Sequence, residues 1–183
     1  MSMVCPSWLS CILYNPMRKA FTDRRKIMDE SEVTDKSVVL EVGAGNGFLT
    51  EVLAEHAAGV YAVELQEGMV KKLRRRIGRF GEKVSIVHDD IASVVLEDGC
   101  VDVCILYYSF HEVHKQNQAA RNISRMVKQG GFVSIYEPTI EVTGKGMQFT
   151  ASLFAQNGFV KESEHNGFFT RFMGMRKQTL PHL

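Results

Sequence analysis

Short apolar runs alternate with stretches of helical periodicity along most of the chain. The pattern predicts strands at 38–42, 60–64, 84–87, 101–106 and 132–137, and helices at 48–58, 69–79, 115–128 and 147–157, with a brief helical turn from Ile91. Two further β-rich runs, 159–164 and 168–175, are joined through Asn166-Gly167 and predict a closing hairpin. Strands that are almost wholly apolar and alternate with helices indicate an α/β fold whose parallel sheet is covered on both faces.

The chain shows no internal repeat, low-complexity tract or shift of composition. Its 183 residues suit one domain with a full core, so we predict a single domain over residues 1–183. Residues 1–36 stand outside the alternating pattern. We expect them to form one or two helices that lie over the sheet edge as a lid, with the core at 37–183.

Composition places the chain among ordinary globular proteins, with 45% hydrophobic and 23% charged residues. Its 22 basic and 21 acidic residues give a net charge of +1, which does not favour a nucleic-acid partner. Cys5, Cys11, Cys100 and Cys104 form neither a Cys-x-x-Cys pair nor a zinc spacing, so no metal site is predicted. We find no transmembrane segment or export signal and expect a cytoplasmic protein.

A glycine-rich turn follows the first predicted strand, with Gly43, Gly45 and Gly47 at alternate positions. Glycines permit positive φ and let a ligand lie directly on the main chain. Parallel sheets bind ligands at such carboxyl ends of strands, although an ordinary glycine turn is the alternative. The nicotinamide-type fingerprint would place its third glycine one position later, where Phe48 stands, which weakens a dinucleotide assignment.

Two acids flank this turn. Glu41 precedes it, an unfavourable neighbour for a pyrophosphate but a suitable one for a cationic group. Glu64 ends the second predicted strand about 20 positions after Gly43, the spacing of an acid that binds ribose hydroxyls. The alternative for Glu64 is a solvent-facing side chain at a strand end. Together the acids indicate a nucleoside ligand without phosphates.

The motif Glu41-x-Gly43-x-Gly45-x-Gly47 with Glu64 resembles that of class I S-adenosylmethionine-dependent methyltransferases, over about residues 36–176. The resemblance implies a Rossmann-like three-layer sandwich with a mostly parallel seven-stranded sheet and a C-terminal antiparallel hairpin. It also implies S-adenosyl-L-methionine as cofactor.

By the same resemblance, the glycine turn would hold the methionyl part and ribose, Leu65 or Met69 would face one side of the adenine, and Asp90 would accept from the adenine amino group. Asp90 could also cap the short helix that follows it. The full set of cofactor-binding residues implied is Glu41, Gly43, Gly45, Gly47, Glu64, Leu65, Asp90, Ile91 and Tyr107.

The end of the fourth predicted strand would face the methyl acceptor. Methyl transfer by in-line displacement needs an aligned nucleophile and, for a weakly acidic acceptor, a base. His111 is the candidate base, although a capping or packing role is the alternative. Glu112 could orient His111 or favour the N-terminus of the next helix, and the latter is preferred. Tyr108 and Glu137 are further candidates.

We predict a small-molecule acceptor because little chain remains for a docking domain. The alternatives are a protein or RNA methyltransferase, for which the basic run at 71–79 is the only argument, and a non-catalytic nucleoside-binding or scaffold protein. Basic residues at 18–26 suggest weak contact with a membrane surface. Cys5 and Cys11 raise metalloid methylation as a minor alternative, and the oligomeric state stays open.

Overall fold

The computed structural model describes residues 23–178, which form a seven-stranded sheet flanked by helices. Its strands are β1 (Val38–Val42), β2 (Gly59–Val63), β3 (Val84–Val87), β4 (Val101–Tyr107), β5 (Val127–Pro138), β6 (Phe159–Asn166) and β7 (Thr170–Lys177). Its helices are α1 (Arg24–Glu30), α2 (Thr50–His56), α3 (Glu67–Ile77), α4 (Gln116–Met126) and α5 (Gly144–Ala155), with 3-10 turns at Gly78–Lys83 and Phe110–Glu112.

The strands follow the order β3-β2-β1-β4-β5-β7-β6. Strands β1 to β5 are parallel, and β7 runs antiparallel between β5 and β6. This arrangement confirms the predicted α/β Rossmann-like sandwich with its C-terminal antiparallel hairpin. The winding direction reverses between β1 and β4, so the loops that follow these strands diverge and leave a crevice at their carboxyl ends.

Both faces of the sheet are buried at the central strands β1 and β4, whereas the edge strand β6 is largely exposed. On β1, Leu40 packs in one apolar layer with Ile123 of α4, while Val39 packs in the other with Leu53 of α2. Helices on both faces explain why the strands are nearly continuous apolar runs. Glu41 interrupts this run and is nevertheless buried, with 3% of its surface exposed.

The largest departure from the predicted elements lies around Gly131. The sequence pattern predicts a helix over 115–128 and a strand over 132–137, whereas α4 ends at Met126 and β5 begins with the next residue. A Cβ atom at Gly131 would lie 2.7 Å from Val127 Cγ1. Gly131 therefore permits close approach within the strand and does not mark the helix end.

The hairpin also differs from its prediction. Strand β6 ends two residues later than predicted, β7 begins and ends two residues later, and the turn between them lies at residues 167–169. Helix α1 packs Ile27 and Met28 against the sheet. The rest of the predicted lid, together with Cys5 and Cys11, lies outside the described residues, so the lid and the single domain stay predictions.

Candidate functional site

The turn after β1 is built on three glycines with positive φ. Gly43, Gly45 and Gly47 have φ values of 74°, 56° and 85°. The amide of Gly43 donates to the carbonyl of Val63 at 2.9 Å, which ties the turn to the end of β2. A Cβ atom on Gly45 would meet only the Gly43 carbonyl oxygen, at 3.9 Å, so the main chain is open there.

The other two glycines permit close packing. A Cβ atom on Gly43 would lie 2.5 Å from the Cβ atom of Ser109, which follows β4. One on Gly47 would lie 2.9 Å from Leu73 Cδ1 of α3. Gly47 is thus a packing position, in contrast to Gly45.

Glu64 ties the glycine turn to the end of β2. Its Oε2 atom accepts from the amide of Gly45 at 2.7 Å, and its Oε1 atom accepts from the amide of Gln66 at 2.7 Å. The residue is 6% exposed. Each carboxylate oxygen has a second acceptor site, so both can still accept from the hydroxyls of a diol.

Glu41 lies deeper and is held differently. Its Oε2 atom accepts from the hydroxyl of Thr50 at 2.6 Å. Burial raises the pKa of Glu41 to about 8, against a lowering by the Thr50 hydrogen bond and with a further rise from the charge of Glu64. A cationic group entering beside Glu41 would stabilise its ionised form.

The loop after β3 supplies Asp90 and Ile91. The Oδ1 atom of Asp90 accepts from the amide of Ala92 at 2.9 Å, so this carboxylate caps the short turn that follows. Ile91 is buried, whereas Leu65 after β2 is 54% exposed. Leu65 and Ile91 both present apolar surface to the same cavity as Asp90.

At the end of β4 the chain turns sharply through Tyr108, which has a φ of 55°. The rings of Tyr107 and Tyr108 stack with their centroids 4.4 Å apart, and the Tyr108 hydroxyl bonds to the hydroxyl of Thr170 on β7. The Oγ atom of Ser109 is buried and has no hydrogen-bond partner among residues 23–178. A buried hydroxyl of this kind is a candidate ligand contact.

His111 lies between two carboxylates. Its Nδ1 atom is 2.5 Å from Glu137 Oε2, and its Nε2 atom is 2.8 Å from Glu141 Oε2. Its amide also donates to Glu137 Oε1 at 3.0 Å. Burial lowers the pKa of His111, but the hydrogen bond and charge of Glu137 and the charges of two nearby glutamates outweigh it, so the pKa is raised. Glu137, rather than Glu112, is therefore the residue that orients the ring.

These groups surround one cavity of about 850 Å³ at the carboxyl ends of the strands. The predicted base His111 lines it. Of the predicted cofactor-binding residues, Gly47 is not part of the lining. The others all are: Glu41, Gly43, Gly45, Glu64, Leu65, Asp90, Ile91 and Tyr107.

Some lining residues were missed by sequence reasoning. Glu141 lies in the loop after β5, and because β5 pairs with β4, that edge could have been searched for acids. Phe168 and Phe169 come from the β6–β7 turn, and Glu30 comes from α1. No sequence pattern links these segments to the glycine turn.

The basic residues of α3 and of the 3-10 turn after it make ion pairs and polar contacts with neighbouring residues. Lys71 pairs with Glu67 at 2.7 Å, Arg79 pairs with Glu55 at 2.7 Å, and Arg76 donates to the cavity-lining residue Asn46 at 3.2 Å. Over the part of the chain that the structure describes, no arginine lines the cavity.

Residues 23–178 include no group of three or more His, Cys, Asp or Glu placed to hold a metal ion. They also include no helix that is long and apolar enough to cross a membrane.

A family model described as a methyltransferase domain matches residues 40–135 of the chain. An uncharacterized methyltransferase of Geobacillus sp. (strain WCH70) is 33% identical over 115 residues, covering 62% of this chain and 53% of that protein. The ribosomal RNA small subunit methyltransferase A of Syntrophus aciditrophicus (strain SB) is 34% identical over 71 residues, covering 39% and 25%. The chain thus spans about half or less of these curated relatives.

Among solved structures, a SAM dependent methyltransferase from Aquifex aeolicus superposes with a TM-score of 0.83. The two chains are 20% identical, and the match covers 95% of this chain and 100% of that one. This likeness supports the fold described above.

Proposed function

The chain belongs to the family of methyltransferase domains, of the class I S-adenosylmethionine-dependent kind, and from this we propose that it transfers a methyl group to a small-molecule acceptor held beside β4. One observation carries the proposal. The open glycine turn, the carboxylate of Glu64 and the imidazole of His111 line the same cavity.

The residues of this cavity fit the cofactor. Gly45 leaves main chain uncovered where a side chain would stand, and Glu64 keeps acceptor sites for the ribose hydroxyls. Glu41 suits the amino group of the methionyl part, because a cation beside it would stabilise its ionised form. Leu65 and Ile91 supply apolar surface for the adenine.

When bound, this cofactor supplies a methyl group on a sulfonium, which is already activated. The chain must therefore align an acceptor and manage its proton. The stacked rings of Tyr107 and Tyr108, at the end of β4, provide a surface against which an acceptor can be oriented. His111 is fixed at Nδ1 by Glu137, and its Nε2 atom serves for proton transfer once the acceptor has replaced His111 at Glu141.

The volume of the cavity favours a small acceptor. At about 850 Å³ it lies within the range typical of small-ligand pockets, with room for a nucleoside cofactor and a compact second molecule. Relatives named as ribosomal RNA methyltransferases match only about a quarter of their own length, which supports the RNA alternative weakly.

Thermal unfolding with S-adenosylhomocysteine, and separately with NAD, tests the choice of cofactor. At a ligand concentration of about 100 times Kd, stabilisation of about 2.7 kcal/mol should raise Tm by roughly 5–10 °C. We expect the shift with S-adenosylhomocysteine alone. No shift, or an equal shift with NAD, would overturn the proposal.

A radiolabelled methyl-transfer assay tests the acceptor class. The chain is incubated with labelled S-adenosylmethionine and, in parallel, with a small-molecule extract, protein and RNA. Label should enter the small-molecule fraction. Label in RNA or protein instead would favour the corresponding alternative.

A further inference from the structure

The lining of the cavity has a strong charge imbalance. Within the described part of the chain, eight lining residues carry carboxyl groups and one, Lys26, carries an ammonium group. The whole chain has a net charge of only +1, so the imbalance belongs to the cavity and not to the molecule. A cleft lined by one sign of charge concentrates ligands of the opposite sign and repels those of its own.

Part of this acidity lies at the acceptor end, beyond the residues proposed to hold the cofactor. Glu141 contacts Nε2 of His111, and its side chain is 57% exposed, so an incoming ligand can reach its carboxylate. Glu30 is fixed by the Tyr136 hydroxyl at 3.1 Å and by His165 at 2.8 Å. Glu141 is thus the carboxylate best able to exchange partners.

Ser109 provides a second, independent sign of a ligand. Its Oγ atom is buried without a partner in the described residues, although the side chain lines the cavity between Gly43 and His111. A buried hydroxyl that can both donate and accept is satisfied when a bound molecule reaches it.

Aromatic surface lies at the same end. Phe168 and Phe169, on the turn between β6 and β7, are 88% and 75% exposed and line the mouth of the cavity. Tyr107 and Tyr108 form a stacked pair inside it. Aromatic faces bind apolar or planar groups and also attract cations.

We propose that the acceptor is a small amine with an aromatic or apolar body that enters as a cation, that the Glu141 carboxylate binds its ammonium group, and that His111 accepts its proton. The inference rests on the methyl transfer proposed above. It excludes polyanionic acceptors, which the ionised carboxylates of the lining would repel.

In the proposed reaction, proton transfer precedes methyl transfer. As the ammonium group binds Glu141, the His111 imidazolium gives the Nε2 proton of that contact to water, and the neutral Nε2 atom then accepts one proton from the amine. The freed nitrogen lone pair forms the bond to the methyl carbon while the carbon–sulfur bond breaks and leaves its electron pair on sulfur. The methylated ammonium product leaves with its charge, and His111 returns the proton to water.

Equilibrium binding to the full chain, first saturated with S-adenosylhomocysteine, tests the inference without turnover. The probes are phenethylamine, 2-phenylethanol and phenylacetate, which share a ring and differ in charge. Phenethylamine should bind about tenfold or more tightly than the alcohol, since a hydrogen bond to a charged group contributes about 1.5–3 kcal/mol, and phenylacetate should bind most weakly.

Glu141→Gln should reduce phenethylamine affinity about tenfold and leave 2-phenylethanol affinity unchanged. Glu82→Gln makes the same change of charge at a residue outside the cavity lining and should alter neither. Failure of phenethylamine to bind more tightly than both other probes, or an unchanged affinity in Glu141→Gln, would overturn the inference. If S-adenosylhomocysteine itself does not bind, the proposed function fails first.

Discussion

Two acids show how neighbouring residues of one site acquire different properties. The carboxylate of Glu64 accepts hydrogen bonds from two backbone amides, whereas the buried carboxylate of Glu41 accepts one from the hydroxyl of Thr50. The sequence placed both acids at strand ends but could not show this difference, because the Gly45 amide and the Thr50 hydroxyl reach them only in the folded chain. Thr50 reaches Glu41 only because α2 folds back on β1.

Glu41→Gln should change how stability depends on pH. The pKa of Glu41 is raised from 4.5 to about 8 in the folded state, so the unfolded chain releases this proton first as pH rises. The contribution of Glu41 to the free energy of unfolding therefore falls from about pH 4.5 to about pH 8. Urea denaturation across this window should give a flatter profile in the variant, and a wild-type slope would contradict the assignment.

Glu137→Gln should lower the pKa of His111. The variant keeps the shape of the side chain but removes the charge and one acceptor that stabilise the imidazolium. The change is measured by NMR titration of the His111 ring, whose signal is identified by its absence in His111→Asn. Glu141→Gln is the matched comparison. Its effect should be smaller, since Glu141 is largely exposed, and the reverse order would refute Glu137 as the main partner.

At the scale of the element, the strand, glycine turn and helix form one unit with two kinds of glycine. Gly45 and Gly47 read alike in the sequence, yet one faces the cavity and the other faces α3. Alternate spacing alone does not reveal this, because the side on which each glycine lies depends on the path of the turn.

The pair Gly45→Ala and Gly47→Ala should therefore separate binding from stability. In Gly47→Ala the new Cβ atom would stand 2.9 Å from buried Leu73 at a φ of 85°, and we expect about 1–3 kcal/mol of destabilisation. Gly45→Ala shares the strain of a positive φ, at 56°, but its Cβ atom makes only an ordinary contact at 3.9 Å. It should therefore be less destabilised but should bind S-adenosylhomocysteine more weakly. Calorimetry and urea denaturation check both variants. The opposite pattern would reverse the roles given to the two glycines.

The order of the elements could be predicted because it depends on local periodicity, whereas some boundaries could not. The start of β5 at Val127 is set by pairing with β4, which has a register shift between Val101 and Val103. The ends of β6 and β7 depend likewise on antiparallel pairing. Gly130 and Gly131 favoured the prediction of a helix end at this point, because the sequence alone does not show which residues pack against them in the fold.

At the scale of the whole molecule, the cavity draws on segments that are far apart in sequence. Glu30 of α1 contacts Tyr136 of β5 and His165 of β6. The Tyr108 hydroxyl bonds to Thr170 of β7. The glycine turn and Glu64 belong to local motifs, so their position beside a cavity could be predicted, whereas the part of the cavity lined by Glu30 and Phe168 forms only after the hairpin and α1 have packed.

The contrast between a nearly neutral molecule and an acidic cavity predicts a selective effect of salt. Raising ionic strength from about 0.01 M to about 0.1 M shortens the Debye length from about 30 Å to about 10 Å. Binding of phenethylamine to the protein saturated with S-adenosylhomocysteine should weaken several-fold, because the attraction of the carboxyl groups is screened. Binding of 2-phenylethanol should not change, since it carries no charge. Glu141→Gln should reduce the salt dependence for the amine, whereas equal salt effects on amine and alcohol would mean that the carboxyl groups do not select the acceptor.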